Sequence, residues 1–303
     1  MRQYLYLWSL NMLKIDENLV KKLIRNQFPE WLNLPIKPME KSGNDNRTFH
    51  LGNKMLVRLP SAEGYASQPE KEFEWLPKLS RHISIPIPLP LAKGSPDFEY
   101  PFPWLITRYI QGETVTCEGI SDMKKFVSNL ASFLKELHSA DTQNAPVAGQ
   151  HNFYRGGNLS VYDGETRRAI VSLSDVIPSD PLSEIWSIAI TSQWERDDVW
   201  VHGDIAVGNL LVNNGELCAV IDFGCSAVGD PACDYVMAWT FFDADNRNLF
   251  FELLGCDKDT IDRARGWALW KALITYDNDD NAISKYAINE ILNDLDYSSN
   301  LSL

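Results

Sequence analysis

The sequence predicts an α+β chain of two lobes, residues 1–110 rich in strand and residues 111–303 mainly helical. Three observations predict it. The apolar period is two between residues 42 and 60, and it becomes three to four after Gly112. Between the C-terminal helical stretches, residues 199–224 read as a short strand, a loop and a hairpin.

The elements follow in order. "DENLVKKLIRNQF" (16–28) sets Leu19, Leu23 and Phe28 on one side with charges between, an amphipathic helix capped by Asp16. "SGNDNRTFHLGNKMLVRLP" (42–60) alternates about a Gly52–Asn53 turn and predicts a β-hairpin. "QPEKEFEWLPKLSRH" (68–82) returns to helical spacing, with Pro69 in its first turn. The Pro-rich "ISIPIPLPLAKGSP" (83–96) excludes helix and central strand and reads as edge strand plus loop. "WLITRYIQGETV" (104–115) is a strand ending in a glycine turn. Helices are then expected at 122–141, 165–177, 180–195, 232–254, 259–275 and 281–295, and the hairpin of 199–224 turns at Asn214–Gly215.

Composition narrows the class. With 303 residues, 45% of them hydrophobic, the chain can bury one large core or two smaller ones. Pro, Asp or Lys breaks every apolar run before it could span a bilayer. The N-terminal segment lacks a small-residue cleavage site, which argues against a secretory signal, and Met12 makes the first eleven residues read as a dispensable extension. Five cysteines, an odd number with no C-x-x-C pair, fit reduced thiols in the cytoplasm. A formal charge of −13 repels nucleic acid and anionic membrane and would attract a cationic small molecule, although solubility alone also explains it. A monomer or homodimer is expected.

The chemistry is concentrated in "VHGDIAVGNLLV" and "AVIDFG". Asp204 is followed five positions later by Asn209, and Asp222 ends the far strand of the hairpin. Isolated carboxylates among Val, Ile and Leu are costly unless a cation or donor compensates them. A loop Asp, an Asn and a strand-end Asp in this spacing meet the needs of phosphoryl transfer from Mg·ATP: H-x-D-x-x-x-x-N, then D-F-G. One carboxylate takes the acceptor hydroxyl's proton, and the other two side chains offer hard oxygens to Mg²⁺.

Together with "RYIQGETV" and "GDPACDYVMAWTFF", these motifs resemble the aminoglycoside phosphotransferases, small-molecule kinases of the protein-kinase-like fold. The resemblance runs over nearly the whole chain. It implies that Asp204 is the catalytic base and that Asn209 and Asp222 are the Mg²⁺ ligands. His202 would be a buried scaffold for the loop. Asp230 would hold the catalytic-loop backbone, with Asp234 the weaker candidate. ATP, with GTP as the alternative, would bind near Ser42 and Gly43 and against backbone groups of Arg108, Tyr109 and Ile110.

Two departures from the family pattern stand out. The segment "KSGNDNRTFHLG" lacks a full glycine-rich loop, and "MLVRLP" puts Arg58 where a phosphate-binding Lys is expected. A guanidinium can also grip phosphate oxygens. Glu72 is the expected partner, ahead of Glu74, and Lys54 is the fallback phosphate ligand. For the acceptor the sequence offers Asp277, Asp279 and Asp280, then Glu290, Asp294 and Asp296. Trp239, Phe241, Phe242, Trp267 and Trp270 read as core rather than as a substrate platform.

Two classes of function follow. The first is an ATP-dependent O-phosphotransferase acting on a small, cationic, aminoglycoside-like molecule, with another metabolite or a macrolide-like compound as the alternative acceptor. The second is a catalytically weak nucleotide-binding protein.

Overall fold

The computed structural model describes residues 14–40, 43, 45–97, 99–277 and 281–295. The chain separates into two compact units, one running up to Ser80 and taking in Ile87–Ile110, the other formed by Arg81–Pro86 and the chain from Gln111. The stretch 81–86 was expected in the first unit. It joins the second because the Ser84 backbone and hydroxyl both donate to Glu136, at 2.7 and 2.9 Å, and the Pro86 carbonyl accepts from Val220.

The first unit is a five-stranded antiparallel sheet with one helix against each face. Helix α1 (Glu17–Gln27) is capped by Asp16, which accepts the Asn18 and Leu19 amides. Strands β1 (Ile36–Pro38), β2 (Asn46–Leu51), β3 (Met55–Pro60), β4 (Pro90–Gly94) and β5 (Trp104–Arg108) lie in the order β1-β2-β3-β5-β4. β4 takes the sheet edge, with its register shifting between Pro90 and Ala92, where a missing proline N–H does least harm. Side chains alternate along β3. Val57 and Leu59 therefore join Leu23, Ile24, Phe49 and Ile106 in the core beneath α1, and Arg58 points to the other face. There helix α2 (Gln68–Leu79) packs, with Glu72, Leu76 and Leu79 buried.

In the second unit, β6 (Glu113–Thr114), β8 (Leu210–Asn213) and β9 (Glu216–Val220) form one small sheet, and β7 (Val199–Val201) pairs with β10 (Ala227–Gly229). The β8–β9 turn puts Asn214 and Gly215 both at positive φ, 51° and 81°, as a two-residue hairpin requires. Helices α3 (Met123–His138), α4 (Asp163–Ser172) and α5 (Ser179–Thr191) precede the hairpin, and α4 ends five residues before its expected C-terminus.

The helix expected over 232–254 is broken into a 3₁₀ turn at Pro231–Tyr235, a short α6 (Met237–Thr240) and α7 (Ala244–Leu254). Asp243 causes the last break, leaving the helical path to accept the Asn246 amide as a new N-cap. Helix α8 (Lys258–Ile274) is buried along most of its length, and Gly266 lets it approach α5 so closely that a Cβ there would lie 2.5 Å from Ala189. Trp239, Phe242 and Trp267 are core side chains, as expected. Helix α9 (Ala282–Asn293) follows. Among the described residues no helix is long and apolar enough to cross a membrane.

Candidate active site

The loop after β7 is fixed from below by one carboxylate. Asp234 is fully buried, and its two oxygens accept the backbone N–H groups of His202 and Gly203, each at 2.7 Å. Burial pushes its carboxyl up to about 7, the charge of Asp204 adds to that, and the two amides pull the other way. The expectation that Asp230 holds this loop is therefore corrected. Asp230 caps the 3₁₀ turn through the Ala232 amide and pairs with Arg263 at 2.7 Å. The two aspartates stand four positions apart, and only the second bonds the loop. Gly203 itself sits at φ 83°, where a Cβ would lie 2.3 Å from the Cys225 carbonyl. Only glycine fits that approach.

His202 ties two segments together. Its Nδ1 accepts the Asp204 N–H at 3.2 Å, and its Nε2 donates to the Ile221 carbonyl at 3.0 Å, which sets the tautomer. The ring packs edge-on against Phe223, with centroids 4.6 Å apart. It is a buried scaffold, as the sequence suggests.

Asn209 completes the loop. Its side-chain N–H₂ donates to both the backbone carbonyl and Oδ2 of Asp204, at 2.9 and 3.0 Å. Its own carbonyl accepts the Ile221 N–H at 2.9 Å, bringing the residue before Asp222 alongside. Asp222 adopts φ 66°, ψ 66°, left-handed backbone that costs a non-glycine residue on the order of 1–3 kcal/mol. Asp204, Asn209 and Asp222 are thus brought to one spot by three separate backbone ties.

The first unit carries a second constellation. Arg58 Nη1 lies 2.5 Å from Glu72 Oε2, both side chains largely buried. Glu74 instead pairs with Lys78 on the exposed side of α2. Lys54 is exposed in the β2–β3 turn. Gly43 is exposed and its carbonyl accepts from Arg47, while Ser42 lies outside the described residues. Of the three residues expected to supply backbone hydrogen bonds at the end of β5, Arg108, Tyr109 and Ile110, two have committed donors. The Arg108 N–H bonds the Leu89 carbonyl and the Tyr109 N–H the Lys54 carbonyl, so among the described residues only the Ile110 N–H has no backbone partner.

A cavity of about 250 Å³ opens beside Asp204, walled by Ile205, Val207, Val236, Ile283, Arg155 and Lys271. Of the acidic residues expected around an acceptor, the described ones, Asp277, Glu290 and Asp294, do not line this cavity. Asp277 is exposed and does not line this cavity, and Asp279 and Asp280 lie outside the described residues. Glu290 is paired with Arg247 at 2.9 Å, and Asp294 with Arg265 at 2.9 Å. Sequence reasoning ranked Asp234 behind Asp230 and passed over Arg155 and Lys271. The signal for Lys271 was available, a lone cation in "WALWKALI" on a helix otherwise apolar there.

The profile of the Phosphotransferase enzyme family matches residues 36–267. A probable aminoglycoside 3′-phosphotransferase from Lactococcus lactis is 26% identical over 191 residues, 58% of this chain and 66% of that protein. The chain spans less than two thirds of the length of this and the next curated relative. Among solved structures, the GDP complex of wild-type aminoglycoside 2′-phosphotransferase-IIIa superposes with a TM-score of 0.69 at 18% identity, covering 95% of this chain and all of that one. A macrolide 2′-phosphotransferase from Brachybacterium faecium superposes at 0.57 and 18% identity, over 90% of this chain and 97% of its own. The fold is the α+β fold of these kinases, and by the extent of the profile match the chain belongs to the phosphotransferase enzyme family.

Proposed function

We propose that this chain is an O-phosphotransferase that moves the γ-phosphate of Mg·ATP, or of GTP, to a hydroxyl of a small molecule. The observation that carries the reading is the Asn209 side chain, which bonds Asp204 through its N–H₂ and turns its Oδ1 away. That oxygen accepts no hydrogen bond among the described residues.

Asp204 Oδ2 is held in one orientation by Asn209, which leaves Oδ1 to receive the acceptor's hydroxyl proton as its oxygen attacks the γ-phosphorus. The bond from phosphorus to the β–γ bridging oxygen breaks, and the nucleoside diphosphate leaves. Asn209 Oδ1 and the Asp222 carboxylate are hard oxygen donors on residues linked by the Ile221 N–H bond to the Asn209 carbonyl, a donor set that fits Mg²⁺. The ion, when bound, supplies charge neutralisation on the phosphates. Arg58, oriented by Glu72, is the phosphate clamp of the first unit. Relatives named for aminoglycosides and a fold neighbour named for macrolides make both polycationic and largely apolar acceptors candidates.

The test is a coupled ADP assay against aminoglycosides, macrolides and hydroxylated metabolites, with Asp204→Asn beside wild type. Turnover should drop by roughly 10²–10⁴-fold, the usual worth of a positioned base, while nucleotide affinity holds. A variant that kept a tenth of the rate would remove Asp204 from this role. A chain that bound nucleotide but phosphorylated nothing would be the weak binder instead.

A further inference from the structure

The wall of the cavity beside Asp204 carries a charge pattern opposite to that of the whole chain. Among the described residues its formal groups are two cations, Arg155 and Lys271, and one carboxylate, Asp204 itself. The chain as a whole carries −13. What an acceptor meets is the wall.

The two cations stand apart from the other half-buried and buried arginines of this unit. Arg247, Arg263 and Arg265 each pair with a carboxylate: Glu290, Asp230 and Asp262. Arg155 has no ion pair among the described residues. Its guanidinium carbon lies 4.4 Å from the Trp270 ring centroid and 5.5 Å from that of Trp267, and its Nε is buried with no hydrogen-bond partner. Lys271 makes no ion pair or side-chain hydrogen bond among the described residues either.

A half-desolvated cation facing a cavity is costly until an anion enters. The rest of the wall offers little to a polycation. Ile205, Val207, Val236 and Ile283 are apolar, and the Thr275 hydroxyl donates to the Lys271 carbonyl at 2.7 Å and lies 2.9 Å from that of Ser284. Glu290 and Asp294 are paired with buried arginines, and Asp277 is exposed and does not line the cavity.

Building on the phosphotransferase reading, we infer that the acceptor is an alcohol carrying an anionic group on an apolar body. Its hydroxyl sits at Asp204, its anion on Arg155 and Lys271, and its apolar part against Val207, Val236 and Ile283. Arg155, its guanidinium carbon 4.4 Å from the Trp270 ring centroid, offers its planar set of N–H donors to the anion, and Lys271 adds a point charge from the helix that carries Trp270.

The test uses probes that share one body and differ in charge: 8-hydroxyoctanoate, its methyl ester, octanediol monophosphate, 8-amino-1-octanol, and kanamycin as a polycation. Two readouts run in parallel, KM in the ADP assay and direct binding by tryptophan fluorescence, since Trp270 lies under Arg155. Either anion should bind about ten-fold or more tightly than the ester, and the amine more weakly still. The acid and the phosphate monoester, ranked against each other, say which anion the pair prefers. Lys271→Glu should reverse the order, and Lys271→Met, which keeps the stem and removes the charge, should flatten it. A tighter fit for the amine or kanamycin, an unchanged order in Lys271→Glu, or no binding by any probe would overturn the inference. Anion-selective binding without any ADP formation would leave it standing and sink the phosphotransferase reading instead.

Discussion

Asp234 Oδ2 lies 2.7 Å from the backbone nitrogen of His202, two residues before Asp204, and Oδ1 takes the next amide along. An asparagine at 234 would offer one acceptor to two donors and set an N–H₂ against the other amide. Leaving a buried donor unmade costs about 1–3 kcal/mol. Asp234→Asn should lower the melting temperature by several degrees and turnover at least ten-fold, with nucleotide binding by Arg58 and Asp222 retained. Calorimetry and steady-state kinetics check both, and wild-type values in each would mean the loop is held by other ties.

Asp222→Ala should abolish the gain in nucleotide affinity that Mg²⁺ brings, because it removes the carboxylate offered to the ion. Titration calorimetry with ATP, with and without Mg²⁺, reads this directly. Asp222→Asn serves as the control: asparagine tolerates left-handed backbone, so any loss there belongs to charge and not to strain. Equal Mg²⁺ enhancement in Asp222→Ala and wild type would refute the metal role.

Arg58→Ala should weaken ATP use by roughly ten- to hundred-fold, since a charge-assisted contact to phosphate contributes about 1.5–3 kcal/mol. Arg58→Lys should recover only part, an ammonium being unable to make the guanidinium's two-point contact. Glu72→Gln should cost less, as it orients Arg58 and does not touch nucleotide. Loss of ATP in Lys54→Ala with Arg58→Ala unaffected would move the clamp to the β2–β3 turn.

His138, half-buried at the end of α3 with its Nε2 buried and unpartnered among the described residues, is pushed down from 6.5 to about 4 by burial. The folded value lies below the unfolded one. The stability it allows is therefore present above about 6.5 and lost as pH falls toward 4. Asp234 has the opposite sign, its raised carboxyl losing stability as pH rises from 3.8 to about 7, so the wild-type profile mixes the two. The readout is accordingly the difference between His138→Phe and wild type in urea unfolding. It should grow in the variant's favour by up to about 3 kcal/mol between pH 7 and pH 4. A flat difference would mean His138 is wetted or already paired.

The linear motifs were legible because their chemistry is local in sequence. Asp204, Asn209 and Asp222 are linked by a five-position spacing and a hairpin, and Arg58 and Glu72 by a strand and the helix after it. What escaped depends on rotation and on long-range packing. Asp230 and Asp234 both open the same segment, and only the 3₁₀ path, not the α-helix expected there, turns the second toward the loop. The break at Asp243 was hidden because "FFDADN" keeps apolar and polar residues at helical spacing on both sides of the cap. Glu290 and Asp294 read as free acids because nothing near them in sequence announces Arg247 and Arg265. Arg155 and Lys271 come together across 116 positions of chain, a distance no local pattern bridges.

The two wall cations inside an acidic chain have a kinetic consequence. An anionic acceptor approaches against a repulsive far field and is captured by an attractive near one. Salt acts on these two unequally, because the screening length is about 8 Å at physiological ionic strength and the partly buried pair is screened far less. Moderate salt therefore speeds the encounter while barely loosening the complex. A cation would be drawn in from afar and refused at the last few ångströms, so the outer field that concentrates it does not make it a substrate.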